Sequence, residues 1–342
     1  MKNILIYIIQ LILLLVLFVA TMCVGAVDIS VKDVFASLFG VETDEMWRYI
    51  VVESRLPMAC AALLAGAALS ASGLIFQTVF SNPLAGPSIL GVSSGASLGV
   101  AIMMLVGGSW LSGLIDRIQW LGISATLPGA IFGAGLIVVV LLLFSRFIKS
   151  GMTLLIIGIM FSYLSSSIIT FLNYFAPAED VKSYAVWGMG SFMGMTTSTL
   201  PFFAILVVIL LISTIFLAKP LNALLLGERY AANLGYSMKR VRGWLLTVAS
   251  LLAAVVTAFC GPIGFIGLIV PHLARMTMQT SNHFVLLPAT VLTGASITLL
   301  CALITVIPTN LGILPVNAVT PIFGVPVILY ILVAGKKLTY FN

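Results

Sequence analysis

The chain has 342 residues, of which 61% are apolar and 8% carry a formal charge. Soluble domains average about 25% charged residues, so this composition cannot cover a water-facing surface, and a membrane is the required solvent. Ten spans of about 20 residues would use most of the length, which excludes a fused ATPase or a large ectodomain; the formal charge of +6 bears first on loop orientation, before any nucleic-acid partner is invoked.

Windows of about 19 residues, broken at charges, Pro and Gly clusters, predict spans near 4–27, 57–80, 88–106, 126–145 and 152–175, then 200–218, 241–260, 284–307 and 319–335. The first, after Lys2, imitates a secretion signal, with Val24, Gly25 and Ala26 resembling a cleavage site. Its run from Ile4 to Val27 is too long for a typical signal core, so a retained span is expected. The apolar stretch from Gly264 to Ala274 is too short for an ordinary crossing, and is either a re-entrant turn or a short span buried among helices. Charge decides for the second. With ten crossings and a cytoplasmic N-terminus, Lys2, Arg146, Lys149, Lys219, Arg229, Lys239, Arg240, Arg242, Arg275, Lys336 and Lys337 lie inside. Only Lys32, Arg48, Arg55, Arg117 and Lys182 lie outside, with every acid except Glu228. That partition is what the positive-inside rule demands, and a non-crossing 264–274 would put Lys336 and Lys337 on the wrong side. The basic excess is topological and calls for no nucleic acid. The expected architecture is one all-α transmembrane domain, residues 1–342, with both termini cytoplasmic.

Reactive groups are scarce. Cys23, Cys60, Cys260 and Cys301 each sit in an apolar run, as small packing residues. His272 and His283 lack the paired spacing of a zinc site, and no phosphate-binding glycine loop precedes a Lys and Ser or Thr. An ion-coupled carrier ordinarily keeps an ionisable residue in mid-span, and none is present here. A transporter built this way draws its energy from elsewhere. An ion-coupled carrier and an intramembrane enzyme are the rival classes.

The loop 218–242 runs KPLNALLLGERYAANLGYSMKRVR from Lys219, with short helical stretches punctuated by Gly227 and Gly235. Glu228 opens the second stretch, where a carboxylate favours a helix N-terminus. A short apolar helix at a membrane face either seeks a partner groove or lies on lipid. Between the second and third spans, SNPLAGPSILG is a rigid, uncharged break, followed by Gly91, Gly95 and Gly99, whose spacing suits close helix packing. In the fifth span Ser162, Ser166, Thr170 and Asn173 share one helix face, able to bond neighbouring helices or to line a wet passage. Arg48 and Arg55 flank the second span near Glu53, placed for interfacial snorkelling, for pairing with that Glu, or for a partner outside.

These strings resemble the permeases of type II ABC importers, the FecCD and BtuC family that moves iron-siderophores, haem and cobalamin. The pattern G-E-x-x-A-x-x-L-G appears as Gly227, Glu228, Ala231, Leu234 and Gly235, with Arg229 inside it. The segment from Arg55 to Gly99, GPIGFIGLIVPHLAR from Gly261 and LPVNAVTPIFGVPVILYIL from Leu314 agree with the family too, so the likeness covers nearly the whole chain. The resemblance implies a non-catalytic subunit with a ten-span BtuC-like fold in a bacterial inner membrane. It implies a second permease subunit, two ATP-binding cassette subunits that use ATP and Mg, and an extracytoplasmic binding protein, with no cofactor held by this chain. It makes 218–242 the ATPase coupling segment, puts the gate near Leu84, Gly151 and Met152, and lines the pathway with the fifth span. It assigns outer arginines to docking of the binding protein, and it makes an iron-siderophore the expected cargo, ahead of cobalamin and haem. Two departures stand out: Met58 replaces a second arginine common in relatives, and the outer loop from Pro308 to Asn317 is uncharged, with Leu314 where a Glu is common. Docking through fewer salt bridges should depend less on salt. His272, within the GPIGFIGLIVPHLAR string, is expected to bond backbone and not a metal.

Overall fold

Apolar runs this long can satisfy their backbone in hydrocarbon only as helices. The computed structural model describes residues 2–25, 27–40, 44–106, 126–148, 150–307 and 313–334, and all its regular elements there are helical. Among the described residues seven helices are long and apolar enough to cross a bilayer, and three shorter apolar ones, 92–106, 266–278 and 316–330, bring the number to ten. The sequence expectation for 264–274 is met by Ile266–Met278 as one of the short members. Arg117, Lys149, Lys336, Lys337 and the loop 308–312, all used in the charge and docking arguments, lie outside the described residues.

The order is α1 (Lys2–Cys23), α2 (Val31–Phe39) and α3 (Glu45–Tyr49), which runs through a π-wound stretch, Ile50–Arg55, into α4 (Leu56–Val79). After a turn come α5 (Val92–Ala101), prolonged by a second π-wound stretch, Ile102–Val106, then α6 (Thr126–Phe147), α7 (Gly151–Phe175) and α8 (Ala178–Gly188). The remainder is α9 (Leu200–Leu225), α10 (Glu228–Asn233), α11 (Met238–Cys260), α12 (Ile266–Met278), α13 (His283–Thr305) and α14 (Val316–Ala334).

α4 is the central post. Its sequence, LPMACAALLAGAALSASGLIFQTV, is rich in Ala, Gly and Ser, and nearly every residue is buried against α9, α11, α12 and α13. Small side chains let the backbones approach, which is the main source of cohesion between helices in lipid. Gly66 of α4 meets Gly294 of α13, and Gly73 meets Gly267 of α12. Gly95 and Gly99 of α5 face Gly133 and Gly129 of α6 in the same way, so the four-residue glycine spacing in the third span is a packing device. α1 and α9 instead turn most of their large apolar side chains outward, as lipid-facing helices do.

The helices gather at two ends. One end joins the close of α4 to the start of α7, α9 to α13 through Asn222 and Asn282, and α11 to the close of α6 through Arg242 and the Ile148 carbonyl. At the other, Ser191 N–H donates to the Cys260 carbonyl, and Glu53 accepts from Thr197.

Besides α3, which runs on into α4, and the loop helix α10, the helices α2 and α8 have no counterpart among the predicted spans. α2 is capped by Ser30, whose hydroxyl oxygen accepts from Asp33 N–H. α8 carries Glu179 and Asp180 in its first turn, the favourable pole for acids. α9 also continues seven residues beyond its predicted end, through Pro220.

Candidate coupling segment and pathway

The segment 218–242 divides at its glycines. α9 reaches Leu225, Gly227 turns the chain at φ +97°, α10 occupies six residues, and Gly235 turns it again at φ +90° before α11 begins. Both glycines have the left-handed backbone that a side chain would strain, and neither has an atom within 4 Å of where a Cβ would stand. Glycine is there for the turn, not for space. A six-residue helix has no independent stability. α10 is held by Ala231, which is fully buried, and by Glu228, whose Oε1 accepts from Arg242 Nη2 at 2.5 Å. Arg242 Nη1 also donates to the Ile148 carbonyl, so one guanidinium ties α10 and α11 to the close of α6. With Glu228 half exposed, the pair contributes about 0.5–1 kcal/mol. Leu226, Arg229, Tyr230 and Leu234 are exposed, forming an apolar and basic face.

The break after α4 is pinned from several sides. Asn82 Oδ1 accepts from Leu84 N–H at 2.9 Å, closing a local turn. His272 Nε2 lies 2.8 Å from the Pro83 carbonyl, and because a carbonyl only accepts, that nitrogen is the donor. His272 therefore bonds backbone, as the sequence suggested. Among the described residues no cluster of three metal-binding side chains occurs. Leu84 stands partly exposed at the tip of the turn. Gly151 packs on Phe80, four residues before Leu84, and Met152 is exposed, so the three gate candidates share one end of the bundle.

A polar junction that sequence reasoning missed lies behind this turn. Arg275, placed by charge counting among the inside cations, is buried in the last turn of α12, where its Nη1 donates to Gln77 Oε1 at 2.6 Å. Gln77 Nε2 donates to the Leu268 carbonyl. At the next residue of α4, the His283 ring lies between Thr78 Oγ1 at 2.9 Å and Asn222 Oδ1 at 2.9 Å, and Asn222 Nδ2 donates to Asn282 Oδ1. Asn222 belongs to the extension of α9 that leads into α10. Each of these residues is unremarkable alone; Arg275, a lone cation at the edge of a short apolar helix, was the one available signal.

On α7, Ser162 Oγ donates to the Gly158 carbonyl and Thr170 Oγ1 to the Ser166 carbonyl. These hydroxyls return to their own helix and do not bridge to a neighbour. Ser166 and Thr170 are exposed, Ser162 and Asn173 half-buried, and Asn173 Oδ1 is buried without a partner among the described residues. α7 fully buries Leu154, Leu155, Gly158 and Ser165, packs Ile159 and Phe161 partly against the core, and exposes Met152, Met160, Tyr163, Ser166 and Thr170.

At the opposite end Arg48 is exposed on α3, and Glu53 is exposed and accepts from Thr197 Oγ1 at 2.6 Å. Arg55 departs from expectation. It is buried and donates to the carbonyls of Met22, Cys23 and Val27, capping the end of α1. The reason is geometric: the π-wound stretch rotates Arg55 inward, toward carbonyls that lack helical partners at the close of α1. It is a structural tie and presents no charge to a partner outside. Met58 is buried as well.

The model of the FecCD transport family matches residues 13–334. The vitamin B12 import system permease protein BtuC of Klebsiella pneumoniae is 37% identical over 283 residues, 82% of each chain. That of Escherichia coli O9:H4 is 34% identical over 328 residues, 95% of this chain and 94% of the relative. Among solved structures, one described as an inward-facing conformation of a metal-chelate type ABC transporter superposes with a TM-score of 0.81 at 29% identity, covering 95% of this chain and 97% of the other.

Proposed function

The chain belongs to the FecCD transport family, and from that premise we propose how its parts divide the work of import. It is the membrane permease subunit of a bacterial ABC importer, a class that works with ATPase and binding-protein partners and as a dimer. We read 218–242 as the ATPase coupling segment, at the cytoplasmic end, within one transmembrane domain 1–342 whose termini are both cytoplasmic. The observation that carries this is the small helix α10, fixed at its root by Ala231 and the Glu228–Arg242 pair, with Leu226, Tyr230 and Leu234 facing outward. Exposed apolar side chains on a rigid stub suit a groove on a partner. ATP and Mg belong to that partner, and this chain contributes no catalytic group. Replacing Gly227 and Glu228 together by Arg is expected to cut co-purification of the ATPase subunit at least tenfold while the permease still inserts. Association at wild-type strength would refute the assignment.

The pathway lies along α7 at an axis shared with a second permease subunit, lined by Ser162, Ser166, Thr170 and Asn173 and closed near Leu84, Gly151 and Met152. Weakly polar, self-satisfied hydroxyls offer a bulky chelate a surface without a tight grip. Arg48 and Glu53, both exposed, remain the docking candidates for a binding protein outside, with Arg55 withdrawn. Cargo is a metal chelate, and the relatives' names favour cobalamin at least as well as the iron-siderophore expected from sequence. In proteoliposomes holding the full complex, the true cargo on its binding protein is expected to raise ATP turnover severalfold over cargo-free binding protein. A ferric siderophore that stimulates where cobalamin does not would decide for the iron branch.

A further inference from the structure

Beside the coupling segment, the close of α6 and the first turns of α11 border an open cleft of about 540 Å³, where Ser145, Arg146, Lys239, Arg240, Trp244 and Thr247 stand with Leu142 and Gly243. We propose that it binds the phosphate headgroup of an anionic phospholipid, held by Arg146, Lys239 and Arg240.

Three cations converge on this cleft and meet no carboxylate among the described residues; the nearby Glu228 is already engaged by Arg242. Arg146 suits its helix, since a cation in the last turn favours the negative pole. Lys239 and Arg240 do the reverse. They occupy the first turn of α11, where free N–H groups already present positive charge, and Ser237 makes no side-chain cap bond there. Nothing local compensates them, and an anion in the cleft would neutralise both the cations and the helix end. The positive-inside rule explains why these residues share a side, not why they share a cleft.

The surroundings are those of a lipid and not of a free solute. Trp244 is 64% exposed, as suits an indole at a headgroup boundary, and Leu136, Val139 and Leu143 are exposed along one face of α6, as suits an acyl chain. The hydroxyls of Ser145 and Thr247 donate to their own helices, which leaves recognition to the three cations. Basic cavities between spans are known to take anionic headgroups.

The test uses the full chain in a neutral detergent, with lipid retention read by native mass spectrometry. Phosphatidylglycerol is expected to be retained at least tenfold over phosphatidylcholine. The variant R146Q/K239Q/R240Q should lose that preference, while K32Q/K182Q/K219Q, which removes as many charges elsewhere, should keep it. If the first variant fails to insert, R146Q and K239Q singly are each expected to cut the preference about fivefold. Undiminished preference in those variants overturns the proposal. So does displacement of phosphatidylglycerol by millimolar inorganic phosphate, which would mark a free-anion site. Loss of ATPase association with lipid retention unchanged would also overturn it, and would make this a protein-docking surface. Lipid retention is measured without the ATPase, so its outcome is independent of the coupling assignment.

Discussion

Gly73→Val is expected to leave little folded permease in the membrane, the largest single-residue effect the structure foresees. A Cβ on Gly73 would overlap the carbonyl oxygen, carbonyl carbon and Cα of Gly267. Overpacking usually costs about 1–3 kcal/mol because side chains can yield; here the obstacle is backbone, so relief requires parting α4 from α12 and the cost should exceed about 3 kcal/mol. α12 has only 13 residues and carries both His272 and Arg275, so its displacement would also release the turn at Pro83 and the Gln77 junction. Size-exclusion of detergent-solubilised protein should show loss of the monodisperse peak. Gly135→Ala, at a glycine of α6 with nothing within 4 Å of the Cβ position, is the matched control and should be neutral or mildly stabilising. A Gly73→Val protein that melts within a degree or two of wild type would refute the close-packing account.

The second large effect is expected from Arg55→Met. The guanidinium satisfies three carbonyls, two of them the last of α1 and its approach, and holds α1 to the post formed by α4. Methionine roughly matches the aliphatic stem but removes all three charge-assisted bonds, leaving the Cys23 carbonyl only its bond from Ile29 N–H, at a cost of about 3–5 kcal/mol in a buried site. Thermal scanning should register a large drop in midpoint, and limited proteolysis should open first between α1 and α2. Arg55→Lys, with one ammonium for three acceptors, should fall between. Were Arg55 a docking residue instead, Arg55→Met would leave stability unchanged and weaken only association with the binding protein.

Much of the fold was legible in the sequence because hydrophobic length is so direct a signal. The long spans follow from windows of apolar residues, and the short one at Ile266–Met278 was recovered only through the charge balance it restores. α9 was cut short at 218 because Lys219 and Pro220 read as a break; inside a long helix a proline removes one donor and the helix continues. α2 and α8 escaped because neither has span length, although Ser30 followed by Asp33 was a readable start signal for α2. At the candidate site, Gly227 and Gly235 announced their turns by type. The junction of Asn222, His283, Thr78, Gln77 and Arg275 did not, since hydrogen bonds between residues up to 205 positions apart leave no local pattern. Arg55 was misplaced because charge counting and resemblance assign it a side of the membrane but say nothing of its burial, which the close of α1 and the π-wound stretch decide.

The His283 imidazole has a mechanical consequence. It is clasped on one side by the arm that carries α10 and on the other by the last turn of α4, each contact being 2.9 Å long. Hydrogen bonds weaken steeply when stretched by more than about 0.5 Å. A pull on the arm therefore either drags the end of α4, and with it the Pro83 turn, or snaps the imidazole free. The ring behaves as a clutch plate between the arm and the turn, and how firmly it is gripped sets how much of one's displacement reaches the other.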